Sequence, residues 1–212
     1  FRGGLVLSSE DDRFGGLSAL GVSRDGVRLV ALSDRGHRFQ AHLDYGKDGL
    51  LIGLRDTDIG IMGGLDNKPL SGKAQSDAES MAPGTGGEII VAFERQHRLW
   101  RYFPSQATPE PLPPPEELVD APSNGGIEAL ALLVDGRLLA LTEKFGRGDT
   151  LVGWVSRRQG WSVLTYITRD DFKPAGAATL PDGDVIVVER RFRLPGTFTT
   201  RLVRIDGTSI SP

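Results

Sequence analysis

Short apolar runs broken by glycine-centred turns recur along the whole chain, and no apolar stripe at 3.6-residue spacing persists anywhere. Four segments stack on one another: 16–35 (GLSALGVSRDGVRLVALSDR), 79–95 (ESMAPGTGGEIIVAFER), 128–144 (EALALLVDGRLLALTEK) and 175–190 (AGAATLPDGDVIVVER). Each opens on small or apolar residues, turns at Asp25-Gly26, Gly86-Gly87, Asp135-Gly136 or Asp182-Gly183, runs on through an apolar stretch and closes on an acid followed by a base. A glycine pair or Asp-Gly between two apolar runs predicts a tight hairpin, because glycine supplies the positive φ the turn needs. A third strand is expected after each hairpin, at 38–45, 98–103, 150–157 and 197–205, and a fourth after two of them, at 50–54 and 161–168. A repeat of about 48 residues with up to four strands each is the pattern of β-propeller blades. A helical solenoid would need the missing helical period. A two-sheet sandwich would use similar strands without predicting the recurring acid–base pair. The expected fold is therefore all-β, a single propeller domain of four-stranded antiparallel blades, about four of them visible.

Two stretches interrupt the pattern. Residues 105–123 carry Pro109, Pro111, Pro113, Pro114 and Pro115, which donate no ladder hydrogen bonds, so this stretch is expected at an outer edge or between blades. Residues 56–77, rich in glycine and polar side chains, read as an insertion over one face of the disc. The apolar run at 4–8 is expected to close the ring as the outer strand of the last blade.

Composition narrows the function classes. Apolar residues make up 39% and charged residues 25% of 212 residues, enough for a core without a disordered composition. The net charge of −3 gives no electrostatic case for nucleic acid or an anionic membrane. There are no cysteines, which excludes disulfides, thiolate metal sites and cysteine nucleophiles. No run approaches the roughly 18 apolar residues a membrane-spanning helix needs. The first residue is Phe1, which reads as a processed or trimmed start.

The stretches GGLSAL (15–20), LSDRG (32–36), DAESMA (77–82), FERQHRLWRY (93–102), GGIEALA (125–131) and PAGAATLPDGDVIVVERRF (174–192) resemble the phytase-like esterase family, in that family's order and across nearly the whole chain. The resemblance implies a propeller of about six blades, a periplasmic or secreted location, and continuation into a further blade beyond residue 212. It also implies hydrolysis of an ester or phosphoester.

The first strand of a blade lines the central channel, and the matching first-strand positions hold Ser18, Glu79, Glu128 and Ala175. Glu79 and Glu128 in neighbouring blades would face each other closely, and like charges at that range do not both ionise unless neutralised. Calcium, held by oxygen ligands in flexible geometry, is one expectation, and the resemblance to calcium-using propeller hydrolases points the same way. Water-bridged acids without a metal are the other. The acid–base pairs Asp34-Arg35, Glu94-Arg95, Glu143-Lys144 and Glu189-Arg190 read either as salt bridges between blades or as the rim of the channel mouth. In the second reading, Asp34, Glu94 and Glu143 are candidate catalytic or metal-supporting acids, and Arg35, Arg95 and Arg190 are candidate binders of an anionic ester. His37 and His97 each stand three residues beyond a repeat acid, where either would serve as a general base or simply as an exposed turn residue. Ser18 lacks the surroundings of a nucleophile elbow. Trp100, Tyr102, Trp154, Trp161 and Tyr166 are expected in the packing between blades. Two functions follow from these residues: a metal-assisted ester or phosphoester hydrolase acting in the channel, or a non-catalytic extracytoplasmic propeller that binds a ligand or protein partner.

Overall fold

The tight turns named above are the points from which the architecture grows. In the computed structural model, which describes residues 3–210, Gly26, Gly87, Gly136 and Gly183 take φ of 77°, 88°, 85° and 95°. L-residues with a Cβ rarely adopt that region, so each glycine fixes where its hairpin reverses. Among the described residues fifteen strands result, in four antiparallel sheets whose strand neighbours are consecutive in the sequence. The first sheet comprises β1 (Leu17–Val22), β2 (Arg28–Ser33), β3 (His37–Tyr45) and β4 (Leu51–Ile61). The second comprises β5 (Ala78–Pro83), β6 (Ile89–Phe93), β7 (Arg98–Tyr102) and β8 (Glu110–Leu112). The third comprises β9 (Ile127–Leu132), β10 (Leu138–Arg147), β11 (Thr150–Ser156) and β12 (Trp161–Ile167). The fourth has three strands, β13 (Lys173–Thr179), β14 (Val185–Arg193) and β15 (Thr197–Ile205).

The first strands β1, β5, β9 and β13 lie side by side in sequence order, and the sheets fan out from them as four propeller blades. Period-2 alternation gives each sheet two apolar faces, and neighbouring blades bury them against each other. Ala19, Leu32, Met81 and Val91 fill the space between blades 1 and 2, Ala92, Leu99, Leu130 and Trp154 that between blades 2 and 3, and Leu139, Leu141, Val185 and Val187 that between blades 3 and 4. Trp154 is fully buried and stacks on Phe145 at 6.2 Å between ring centroids, in the packing role its sequence position implied.

The proline-rich stretch lies at an outer edge, as its chemistry demands. Its only strand is the short edge strand β8, and the 3-10 turn at 116–120 drops Leu118 into the core between blades 2 and 3. Trp154 Nε1 donates to Glu117 at 3.1 Å and Trp161 Nε1 donates to the Pro113 carbonyl at 2.9 Å, tying the connector down. The insertion is shorter than the sequence suggested: β4 continues to Ile61, and the non-strand part spans 62–77. Met62 and Leu70 from that part are buried between blades 1 and 2, and its single turn of helix, α1 (Lys73–Ser76), leads into β5.

One expectation fails. Residues 4–8 form no strand and do not complete blade 4. They lie along blade 1 instead, where Leu5 and Leu7 flank a cavity of about 600 Å3 with Phe14, Phe39, Leu54 and Ile59. Among the described residues, β13 and β1 share no packing like that joining the other first strands, so blades 1 and 4 are the ends of an open arc.

Candidate functional site

Each blade's first strand carries a β-bulge at the same place. The pairing skips one residue between Leu17 and Ala19, between Ala78 and Ser80, between Ile127 and Ala129, and between Pro174 and Gly176. The extra residues are Ser18, Glu79, Glu128 and Ala175, the four positions aligned from the repeats. A bulge lets one side chain leave the regular alternation and be re-aimed, which is why bulges gather at sites.

In blades 2 and 3 the bulge delivers a carboxyl group into a cluster of acids. Ligand-capable oxygens of Asp77, Glu79 and Glu94 lie within 4.8 Å of one another, and Asp77 and Glu94 are buried. Glu128 is in electrostatic reach of Glu79, Glu94 and Glu143, so carboxyls from blades 2 and 3 form one continuous group. Burial first, then the hydrogen bond to Asp77 and the charges of Asp77 and Glu94, push Glu79 up to about 8. Burial, then the charges of Glu143, Glu79 and Glu94 and a hydrogen bond to Glu94, push Glu128 up to about 9. Both are therefore neutral acids at pH 7, the first donating a proton to Asp77 and the second to Glu94.

Cations hold the anionic partners. Lys73 Nζ lies 2.7 Å from both Asp34 Oδ2 and Asp77 Oδ1, and Arg95 Nε donates to Asp77 Oδ2 at 2.7 Å. Burial works to raise Asp77, and hydrogen bonds from Lys73, Arg95 and the Glu79 carboxyl outweigh it, holding Asp77 below the ordinary carboxylate range. Lys144 Nζ pairs with Glu143 at 2.9 Å and also donates to the Asn124 carbonyl at 2.9 Å. Glu94 accepts from the Gly126 amide of the next blade at 2.9 Å.

The histidines separate. His97 Nε2 donates to the Pro122 carbonyl at 3.0 Å, which leaves Nδ1 as a buried acceptor without a hydrogen-bond partner. That nitrogen sits 2.7 Å from where a Cβ on Gly126 would stand, beside Glu94. His37, at the start of β3, also has a buried Nδ1 without a partner, and the carboxylate it bears on is Asp11, in the stretch that precedes β1.

Of the arginines, Arg95 joins the cluster, and Arg35 is exposed with no ion pair among the described residues. Arg190 is exposed and lies over the Phe198 ring at 5.8 Å. Blade 4 also corrects the expected register. Ser33, Phe93, Thr142 and Glu189 occupy equivalent rungs, opposite Leu17, Ala78, Ile127 and Pro174. Arg190, not Glu189, therefore stands where Asp34, Glu94 and Glu143 stand. Glu189 faces the blade interior, fully buried, accepting from Tyr166 Oη at 3.0 Å and from Arg201 Nε. Ser18 donates to the carbonyls of Ala78 and Leu32, a bolt between blades rather than a nucleophile.

Asp77 and Lys73 are the site residues that sequence reasoning missed. The available signal was positional: Asp77 stands immediately before β5, where blades 1 and 3 have Gly16 and Gly126.

The profile of one protein family, described as "Phytase-like: Esterase-like activity of phytase", matches residues 12–212. Among solved structures, a protein of unknown function from Dyadobacter fermentans DSM 18053 superposes with a TM-score of 0.50 at 14% identity, over 88% of this chain and 60% of that one. A streptogramin B lyase gives 0.44 at 13% identity, over 87% of this chain and 54% of the other, and the RRP9 WD40 repeats give 0.47 at 10%, over 87% and 50%. The chain thus spans less than two thirds of the length of each of these proteins. No curated protein matches it.

Proposed function

The chain belongs to the phytase-like family of proteins with esterase-like activity, and from that premise we propose that it is a metal-assisted hydrolase of esters or phosphoesters working at the carboxyls of blades 2 and 3. One observation carries the reading: buried and half-buried acids from two blades converge with fewer cations than carboxyls beside them, which pushes Glu79 and Glu128 up to about 8 and about 9, so that protons take the place of the missing cations. A divalent cation relieves that arrangement by replacing the protons.

The residues fit such an ion. The donor set is all carboxylate oxygen, which suits calcium or magnesium rather than a thiophilic metal. Asp77 Oδ1 is buried with the Lys73 ammonium 2.7 Å away, a place where a positive charge is already held. Asp77, Glu79 and Glu94 would hold the ion, with Glu128 beside them, and calcium is the ion we favour. The chemistry a bound ion supplies is Lewis acidity, polarising an ester or phosphoryl oxygen and acidifying a water.

This chain's own groups would do the rest. Lys73 and Arg95 fix the Asp77 carboxylate, and Lys144 fixes Glu143. His97, held by the Pro122 carbonyl with Nδ1 unpartnered beside Glu94, would take the proton of an attacking water. Arg95 and Lys144 would draw an anionic ester to the mouth.

Thermal unfolding with calcium and with chelator, together with assays on an aryl ester and an aryl phosphate, tests this. At a hundredfold excess over Kd, calcium adds about 2.7 kcal/mol to stability, a melting shift of several degrees. Glu128→Gln is expected to lose much of that shift and the turnover while keeping the fold. If neither a shift nor turnover appears in the parent protein, the reading fails and a ligand-binding propeller without catalysis takes its place.

A further inference from the structure

Arg38 is out of keeping with its rung. The third strands of blades 2, 3 and 4 carry Leu99, Gly153 and Leu202 at the place where β3 carries Arg38. The next strand adds a second departure: Gly60 of β4 lies opposite Arg38, where Leu112 and Leu164 fill the matching place in blades 2 and 3 and pack into the clusters between blades. Blade 1 therefore lacks the hydrocarbon that closes the other two interfaces at this depth. A cavity of about 340 Å3 remains between blades 1 and 2.

The chemistry of that cavity is one-sided. Its charged side chains among the described residues are Arg38 and Lys68, with no carboxylate. The amides of Asn67 and Gln106 stand beside them, and Tyr102 and Phe103 form an aromatic wall. Arg38 is half-buried, and its Nε is buried with no hydrogen-bond partner. A guanidinium drawn out of water without an acceptor costs stability, so it is out of place unless a ligand answers it. The acids of this region are engaged elsewhere, Asp44 and Asp56 with Arg55 and Asp66 with Lys68 at 3.5 Å, and Asp58, on the rung opposite Gln40, is exposed. The walls are fixed. Tyr102 Oη donates to the Gly63 carbonyl at 3.1 Å, Gly63 pairs with Pro69, and the Gly64 amide donates to the Lys68 carbonyl at 2.7 Å.

We propose that this cavity binds a small organic anion, its carboxylate or phosphate meeting Arg38 and Lys68 and its ring-sized body lying against Tyr102 and Phe103. Charge-assisted hydrogen bonds to a guanidinium supply the orientation, and a cavity of this volume suits one ring rather than a larger molecule. The cavity shares no residue with the carboxyl cluster, so it stands whether or not that cluster hydrolyses anything.

Titration calorimetry with benzoate, phenylphosphonate and benzamide tests this, run in chelator so that no metal at the carboxyl cluster holds the anion. At least one of the two anions is expected to bind one per chain, the tighter of them identifying the oxyanion. Benzamide keeps the ring and loses the charge, and is expected to bind at least about tenfold more weakly. Arg38→Met is expected to weaken the anion at least about tenfold and, with the unpaired charge gone, to melt no lower than the parent. Lys68→Gln changes an exposed side chain and leaves the fold alone; it is expected to weaken the anion by a smaller factor, which keeps the test decisive should Arg38→Met not fold. A parent protein that binds neither anion overturns the proposal. So does benzamide binding as tightly as the anions, or anion binding that Lys68→Gln and a folded Arg38→Met leave unchanged.

Discussion

Glu79 and Glu128 carry opposite consequences for the empty and the loaded protein. Their folded pKa values, about 8 and about 9, lie above the ordinary 4.5. Below pH 4.5 both are protonated whether the chain is folded or not, and they cost nothing. As pH rises from there, the unfolded chain releases protons that the folded chain keeps, so stability from these groups declines until pH passes their folded values. Without metal, the melting temperature is therefore expected to fall between pH 5 and 9. Glu128→Gln is expected to flatten that fall and to raise the melting temperature at pH 7.5 by about 3 °C, what roughly 1 kcal/mol is worth in a chain of this size. With calcium the order reverses, the parent gaining more than the variant. Scanning calorimetry of both proteins across that pH range, with and without calcium, checks this; a variant that melts below the parent in chelator contradicts it. Both glutamates were legible in the sequence because the repeat fixed their rung. Asp77 was not, since an acid just before a strand looks the same in a solvated turn as it does beneath Lys73 and Arg95.

At the scale of elements, the hairpins were readable from Asp-Gly and Gly-Gly, whose local chemistry decides where a chain reverses. The fourth strands were harder, because an outer strand such as β8 is short and nothing about EPL announces pairing. The misplaced Glu189 has the sharpest cause. Blade 4 carries its acid–base dipeptide one residue earlier than the other blades, and one residue exchanges the two faces of a strand. Its true position predicts a structural role. Glu189→Ala removes the carboxylate that Tyr166 and Arg201 share, leaving the Tyr166 hydroxyl without its acceptor and Arg201 with the Arg169 carbonyl at 3.3 Å and Asp170 at 3.7 Å. Arg201 keeps some contact with solvent, so the expected loss is about 2–3 kcal/mol, at the lower end of what breaking a buried pair costs. Tyr166→Phe should cost about 1 kcal/mol. Urea midpoints measure both; an alanine variant as stable as the parent would show that the pair adds nothing. Gly126→Ala offers a matching test at the site. A methyl there crowds His97 Nδ1 at 2.7 Å, so metal-supported turnover should drop at least about tenfold, equivalent to roughly 1.4 kcal/mol, with little change in melting temperature.

Across the whole molecule, the radial repeat was legible and its closure was not. Blade number along a chain follows from hairpin count, whereas the resting place of the apolar run 4–8, along blade 1 rather than beside β15, depends on tertiary packing that no local pattern announces. The register of blade 4 has a further electrical result. Lys173 and Arg190 sit opposite each other on the rungs where blade 2 holds Asp77 and Glu94. Blade 4 thus sets two cations where blade 2 sets two acids, in a chain whose net charge is −3. An anionic end of a solute whose ester is held at the acids is expected to align toward Lys173 and Arg190 where it reaches beyond Arg95 and Lys144. Dissolved salt weakens that alignment within a distance of about 10 Å at 0.1 M, so the preference for charged over uncharged solutes should fade as ionic strength rises.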